Sequence, residues 1–462
     1  MLERSSRWQQ GQTIELEIVD LNHDGEGVGR FESRVVFVAD TAPGDLIIAQ
    51  LLFVKKDYAK AKLIELKQSS PHRIRPRCIV ADKCGGCQWQ HIDYDYQQQA
   101  KLDRLQQALM RIGSFENPAI SPIITASEPL GYRNKSTYPL GISATGNLQA
   151  GYYRKGSHQI VNLNQCPIQD TRLNPILQEV KIDLQGRGWS VYNETTRQGQ
   201  LRHLSLRIGR HTGEMLLTLV TTDLKLVGVA ECAEMWLAKY PQLVGVALNH
   251  NPKPTNIIFG EETVTIAGKP YLREIFAGLE LQLLPDTFFQ VNTIAAEQLL
   301  SSICDRLQLK GNETLIDTYC GIGTFTLPLA KQVKQAIGIE VHAGSIDRAQ
   351  NNAKNNEIDN TTFYRGKVED VLPQLTEEFD KTPDIIILDP PRKGCDRLVL
   401  ESLCQTNCDR LVYISCNPAT LARDLKILCE TGNYRLDTVL AADFFPQTPH
   451  LEAAAFLVRN RD

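Results

Sequence analysis

Leu315-Ile316-Asp317-Thr318-Tyr319-Cys320-Gly321-Ile322-Gly323 decides the fold. Residues 315–317 read as a short buried strand, 320–323 as a tight loop and 324–331 as the start of a helix, the order of a doubly wound α/β nucleotide-type site. Working outward, residues 336–340 read as a second strand ending in Glu340, 17 residues after Gly323. Strands at 361–366, 384–388 and 410–414 follow, and 453–458 is a last apolar strand.

Glycines in the loop let the backbone approach a ligand closely, and a strand-end carboxylate can accept both hydroxyls of a ribose. The combination D-x-Y-C-G-x-G with Glu340 points to S-adenosylmethionine as the ligand. Beyond the third strand, either Glu369 or Asp370 could receive an adenine amino group, and the spacing leaves that choice open. The fourth strand runs out at Asp389-Pro390-Pro391-Arg392, where paired prolines stiffen the loop and hold Asp389 at the carboxyl edge. Amino-directed nucleic-acid methyltransferases carry a similar loop, commonly ending in an aromatic, and here Arg392 takes that place.

The fifth strand ends at Ser415-Cys416-Asn417-Pro418, which presents a thiol at the same edge. A buried structural cysteine is the ordinary alternative, but this edge is where the fold places its reactions. Carbon 5 of uracil is too weak a nucleophile to take a methyl group, whereas thiolate addition at carbon 6 converts the ring into an enolate that can. The adduct still carries the carbon 5 proton, so a base must remove it. Glu452 is the candidate, because an acid entering an apolar strand is desolvated and therefore more basic. His450 is the second candidate base, with orientation of its loop as the competing role.

The chain has 462 residues, of which 42% are apolar, enough for two to four domains. No signal-peptide pattern opens it and no apolar run is long enough to span a bilayer, so a cytoplasmic protein is expected. Twelve cysteines are too dilute for a disulfide scaffold. A net charge of −4 argues against bulk attraction to nucleic acid, so basic charge must be local. Between Phe53 and Arg77 eight Lys/Arg stand against two acids, with Phe53 and Tyr58 among them. Such a stretch can neutralise phosphates and stack on bases, or it is a lysine-protected strand edge.

Residues 10–68 alternate like a five-stranded, OB-like barrel, with Gly25-Glu26-Gly27-Val28-Gly29 and Pro43-Gly44-Asp45 as turns. Cys78, Cys84 and Cys87 follow, the last two flanking Gly85-Gly86, and Cys166 lies far downstream. Three clustered thiols and one distant thiol suit a cubane iron–sulfur cluster better than zinc, with unligated thiols as the third option. An amphipathic helix is expected over 94–112. Residues 120–275 read as mixed α/β, and Tyr-Arg-Lys stretches at 131–138 and 151–158 could pair phosphates and stack on splayed bases.

The segment from Asp20 to Arg30, with Ala42-Pro43-Gly44-Asp45, resembles the TRAM domain of RNA-modifying enzymes. Asp389-Pro390-Pro391-Arg392-Lys393-Gly394, the run from Ser415 to Asp424, and Asp443-x-Phe445-Pro446-x-Thr448-x-His450-x-Glu452 resemble the motifs of the RNA 5-methyluridine (uracil-5) methyltransferases across essentially the whole chain. The resemblance implies an α/β protein with an N-terminal OB-like TRAM barrel (1–70), a mixed α/β central domain (71–275) and a C-terminal Rossmann-like class I S-adenosylmethionine-dependent domain (276–462). It implies Cys416 as nucleophile, Glu452 as base, and Gln290, Tyr319, Glu340 and Asp389 as S-adenosylmethionine contacts. Tyr319 stands where the family more usually has Phe. It further implies a [4Fe-4S] cluster on Cys78, Cys84, Cys87 and Cys166 and, with the barrel, a 23S rRNA substrate. The alternatives are a tRNA uridine-5 enzyme, an amino-directed RNA base methyltransferase, and an RNA-binding factor with a vestigial catalytic domain. A monomer without a protein partner is expected.

Overall fold

Alternation sets the first element. In β1 (Thr13–Leu21) Ile14, Leu16 and Ile18 are buried while Thr13, Glu15 and Glu17 face solvent, the period of a half-buried strand. With β2 (Gly27–Phe31), β3 (Arg34–Val38), β4 (Leu46–Val54) and β5 (Tyr58–Gln68) it closes a barrel of order β1-β2-β3-β5-β4. The core is aliphatic, with Val36, Val38, Ile47 and Leu51 fully enclosed. Gly27 and Gly29 lie within β2, where a Cβ on Gly29 would stand 2.4 Å from Leu16 Cδ1 and one on Gly27 2.0 Å from Thr41 Oγ1. Close strand approach, more than turning, explains the glycine cluster.

The computed structural model describes residues 8–125, 128–378 and 382–460. It divides into a smaller unit, Met1–Arg104 with Tyr153–Val161 and Phe445–His450, and a larger one, Leu105–Tyr152 with Asn162–Phe444 and Leu451–Asp462. In the smaller unit Asp45 is fully buried beneath the barrel, where its carboxylate accepts from the Ala42 and Ser70 amides at 2.7 and 2.9 Å and from Arg73 Nε at 3.1 Å. Burial opposes the charge, but these bonds outweigh it and hold the carboxyl below the ordinary aspartate range. Arg73 is therefore a structural cation, and Lys60 is paired with Glu26 at 3.1 Å. The helix expected over 94–112 is α1 (Tyr94–Arg111).

A seven-stranded sheet has the order β12-β11-β10-β9-β6-β7-β8. Its strands are β6 (Lys135–Ile142), β7 (Leu148–Tyr153), β8 (Ile160–Asn162), β9 (Leu201–Ile208), β10 (Met215–Thr221), β11 (Leu243–His250) and β12 (Glu262–Gly268). Helices α2 (Asn174–Arg187) and α3 (Val229–Lys239) accompany it, and β13 (Leu272–Phe276) with β14 (Leu279–Leu283) forms a hairpin.

Next comes α4 (Thr293–Leu307), capped by Asn292, whose side chain accepts from the Ala295 amide. The second sheet contains β15 (Thr314–Asp317), β16 (Gln335–Glu340), β17 (Thr361–Arg365), β18 (Ile385–Leu388), β19 (Arg410–Ser415), β20 (Tyr434–Ala442) and β21 (Glu452–Arg459). Its order is β17-β16-β15-β18-β19-β21-β20, parallel except for β21, which runs antiparallel to both neighbours. Helices α5 (Thr326–Ala330), α6 (Ala343–Asn355), α7 (Val368–Glu378), α8 (Arg397–Gln405) and α9 (Pro418–Thr431) connect the parallel strands and lead into β20. The parallel strands read as continuous apolar runs because both faces are covered; all four residues of β18 are buried. Among the described residues no helix is long and apolar enough to cross a membrane.

Candidate active site

The chain winds outward from β15 to β17 and then crosses back to β18, so a cleft opens at the carboxyl ends of β15 and β18. Asp317 closes β15, Glu340 closes β16, Asp389 follows β18 and Cys416 follows β19. Because β21 is antiparallel, its first residue, Glu452, reaches the same edge. Register makes the meeting specific: Ile414 pairs with Ala454 and Ser415 with Ala453, so Cys416 and Glu452 are the next opposed positions. Directly opposed residues of an antiparallel pair have Cα atoms roughly 4.5–5.5 Å apart.

Glu452 is buried, at 4% exposure. Desolvation, then the charge of Asp389, raises its pKa well above the ordinary glutamate value, and Arg392 opposes the shift. Cys416 is pushed up to about 11 by burial and by Glu452, again with Arg392 pulling the other way. The cofactor-free site thus favours a neutral thiol and a proton on Glu452. Arg392, the residue standing where other loops carry an aromatic, is the cation that favours both charged forms. Sequence reasoning gave it no role at the thiol, although its place in the Asp-Pro-Pro-Arg loop was a usable signal.

Asp317 and Asp389 are the desolvated acids at the ends of β15 and β18. Asp317 accepts from Thr326 Oγ1 at 2.6 Å and from the Tyr319 amide at 3.4 Å, yet burial raises it to about 6. Asp389 is raised to about 7, by burial first and then by Asp317. Gln290 Nε2 donates to Asp389 Oδ2 at 3.4 Å. Glu340 accepts from the Gly321 amide at 3.2 Å and from the His342 amide at 2.8 Å, which fixes the carboxylate over the glycine loop. Two desolvated aspartates with a fixed strand-end acid fit a ligand bearing positive charge and a ribose.

Tyr319 adds a hydroxyl whose partner is Cys395 Sγ, 4.0 Å away. The phenol is held protonated by burial and by Cys395, with Glu369 contributing; Glu369 is half-buried and Asp370 exposed. The stretch 131–138, read from sequence as a nucleic-acid contact, has another use. Tyr132 and Tyr138 are buried and cannot stack on a base. Asn134 donates through Nδ2 to the Gln290 carbonyl at 2.8 Å and to Thr293 Oγ1 at 2.9 Å, and its own amide donates to the Val291 carbonyl at 2.9 Å. Lys135 Nζ donates to the Pro285 carbonyl at 3.0 Å. These residues seat the loop that carries Gln290, a role with no local sequence signal.

The cysteine set differs. Cys84 is buried and its sulfur accepts from the Gly86 amide at 3.4 Å, while the Gly85 amide donates to the Tyr153 carbonyl at 2.9 Å. Burial raises the Cys84 thiol, and Cys78 is near enough to add to the shift. Yet among the described residues no group of three His, Cys, Asp or Glu side chains could hold a metal ion. A cluster on Cys78, Cys84, Cys87 and Cys166 thus remains what the resemblance implies. His450 lies in the Phe445–His450 segment of the smaller unit, its amide donating to Thr448 Oγ1 at 3.2 Å and its ring edge-on to Phe445.

Residues 93–460 match the family model described as tRNA (Uracil-5-)-methyltransferase, and residues 7–64 match the TRAM domain. An uncharacterized RNA methyltransferase of Nostoc sp. is 60% identical over 99% of this chain and 98% of its own. One from Bacillus cereus is 37% identical over 98% and 97%. The crystal structure of a Pyrococcus abyssi tRNA (uracil-54, C5)-methyltransferase in complex with S-adenosyl-L-homocysteine aligns with a TM-score of 0.77 at 28% identity, covering 96% of this chain and all of that one.

Proposed function

The chain belongs to the tRNA (uracil-5-)-methyltransferase family and carries a TRAM domain, and on that premise we propose that it methylates carbon 5 of a specific uridine in structured RNA through a covalent Cys416 adduct. The observation that carries the reading is the register that opposes Cys416 to Glu452 at the carboxyl edge, beside Asp389. Gln290, Tyr319, Glu340 and Asp389 bind S-adenosylmethionine, with Glu369 the acid on the Tyr319 side. Bound there, the cofactor supplies an electrophilic methyl group.

The Cys416 thiol gives its proton to water and, as the thiolate that the Arg392 guanidinium favours, bonds through Sγ to carbon 6. The electron pair of the carbon 5–carbon 6 double bond passes into the ring as an enolate, and carbon 5 takes the methyl group. Glu452, having released its own proton to water, acts as a carboxylate and removes the carbon 5 proton; the double bond re-forms and Cys416 leaves as the thiolate.

RNA containing 5-fluorouridine tests this directly, because fluorine cannot be abstracted as a proton. With S-adenosylmethionine it should trap a denaturation-resistant methylated complex that Cys416→Ala abolishes together with turnover. An amino-directed enzyme would keep its activity in Cys416→Ala.

The substrate is the finer question. A 23S rRNA target was favoured by the barrel and the cysteines, but a tRNA uracil-54 enzyme aligned over 96% of this chain weakens the barrel as a discriminator. 23S rRNA fragments stand first in the reading and tRNA second, and methyl incorporation into each decides. A [4Fe-4S] cluster on Cys78, Cys84, Cys87 and Cys166 is supported by motif spacing. Anaerobic reconstitution should then give bound iron and sulfide that Cys84→Ser loses; a chain that retains none rejects it. The reading has the protein act as a cytoplasmic monomer.

A further inference from the structure

The loop after β18 is tied to the helix after Cys416 by hydrogen bonds that the reaction scheme leaves unused. Asp424, fully buried in α9, is their centre. Its Oδ2 accepts from the Cys395 amide at 2.9 Å and from the Tyr413 hydroxyl at 2.6 Å, and its Oδ1 from Arg423 Nε at 2.7 Å. Arg423 donates through its other arm to the Lys393 carbonyl at 3.0 Å. One turn earlier, Thr420 Oγ1 and Asn417 Nδ2 donate to the Arg392 carbonyl at 3.3 and 3.2 Å.

Gly394, between them, has φ +81°, and a Cβ there would stand 2.5 Å from Asp424 Oδ2 and 2.6 Å from Arg423 Nη2. Only glycine lets the carboxylate come this close to the loop backbone. A helix needing only to pack would place an apolar side chain at 424, because a buried charge is no cheaper than a hydrophobe of the same volume. The carboxylate instead collects donors from three separate segments: the loop at Cys395, the strand at Tyr413 and its own helix.

We propose that Asp424, with Thr420 and Arg423, is a positioning residue that latches the Asp389–Cys395 loop to α9, so that Arg392 and Asp389 keep a fixed distance from Cys416 at the head of that helix. The inference rests on Cys416 being the nucleophile. Misplacement of a reacting group by about 1 Å costs on the order of 10²-fold in rate, so the latch acts on the chemical step more than on folding.

The test compares Asp424→Asn, Thr420→Val and Thr420→Ser in the full-length protein. Alkylation of Cys416 by iodoacetamide is followed by peptide mass spectrometry across pH, with kcat for methyl transfer to RNA and a thermal melt alongside. Asp424→Asn should lower kcat by about 10- to 100-fold and move the alkylation midpoint upward by up to about one pH unit as Arg392 drifts from the thiol. Thr420→Val should do the same more weakly, and Thr420→Ser should restore wild-type behaviour.

Folded Asp424→Asn protein with an unchanged alkylation profile and an unchanged kcat would overturn the proposal. Should Asp424→Asn fail to fold, the Thr420 pair decides, and Thr420→Val indistinguishable from wild type overturns it. Failure of the nucleophile reading shows separately, as turnover that survives Cys416→Ala while the alkylation profile still responds to the latch.

Discussion

The carboxyl edge of the second sheet and the basic stretch that runs from the end of β4 through β5 to Arg77 both announce themselves by charge, and the fold treats that charge differently. At the edge, Asp317, Asp389 and Glu452 are delivered by strand ends and left desolvated, with Arg392 the cation that Glu452 feels. In the basic stretch, Arg73 is consumed by buried Asp45 and Lys60 by Glu26. Lys56 and Lys62 are exposed and carry no ion pair among the described residues. A charge is available for function only when the structure has not already neutralised it, so counting lysines overstates the barrel while counting acids understates the edge.

The sharpest test of the edge is Glu452→Gln. The isosteric amide cannot take the carbon 5 proton, so turnover should fall by about 10²–10⁴-fold while addition and methyl transfer proceed. A methylated covalent protein–RNA complex should therefore accumulate on ordinary uridine RNA, visible as a shifted band that needs no fluorine. Loss of turnover without any adduct would place Glu452 before methyl transfer.

On the barrel side, Arg73→Ala leaves the Asp45 carboxylate buried without its cation. Roughly 3 kcal/mol of stability should be lost, the lower end for a broken buried pair. The pH dependence has a definite sign. Because the Asp45 pKa is lowered on folding, its stabilisation is present above the unfolded value of 3.8 and is lost as pH falls through the folded one. The gap between the wild-type and Arg73→Ala melting temperatures should close on acidification, and a constant gap would remove the ion pair from the account.

The contrast also explains what could be read in advance. The glycine loop at 320–323, Glu340 and the strand ends at Asp389 and Ser415 were legible because a parallel sheet with covered faces writes apolar runs that stop where the ligand edge begins. Antiparallel pairing of β21, which brings Glu452 opposite Cys416, is a tertiary register that sequence implies only through the family resemblance. Asn134 and Asp424 were invisible for another reason: each acts by accepting or donating bonds to distant backbone, Asn134 at Gln290 and Asp424 at Cys395, and backbone partners leave no residue signature. The cysteine spacing was legible as well, but spacing along loops does not fix where the sulfurs point.

Asp389→Asn probes the desolvated acids with a smaller effect. A carboxyl raised from 3.8 to about 7 contributes stability that is complete below the unfolded value and is lost as pH rises through the folded one. Without cofactor, the asparagine variant should match wild type near pH 4, gain on it by up to about 1.4 kcal/mol per pH unit as pH rises towards 7, and level off above that. The same ionisation should make S-adenosylmethionine bind wild type more tightly as pH rises over this window, by up to about tenfold per unit. Calorimetry in buffers of different protonation enthalpy should register proton release on binding, and a pH-independent affinity would show that Asp389 is already ionised without ligand.

The smallest effect separates a free lysine from a spent arginine. Lys62→Ala removes an exposed cation on β5 that has no ion-pair partner among the described residues, so melting should stay at the wild-type temperature. If the barrel contacts RNA, the slope of log affinity against log salt should fall by about 0.7, the value for one phosphate of a single strand, with affinity down severalfold at low salt. Arg73→Ala, assayed below its own melting temperature, should leave that slope unchanged, because its guanidinium is turned inward to Asp45 and only 17% of the side chain is exposed. Equal slopes for Lys62→Ala and wild type would mean that the barrel's lysines are an edge defence and that RNA is held elsewhere.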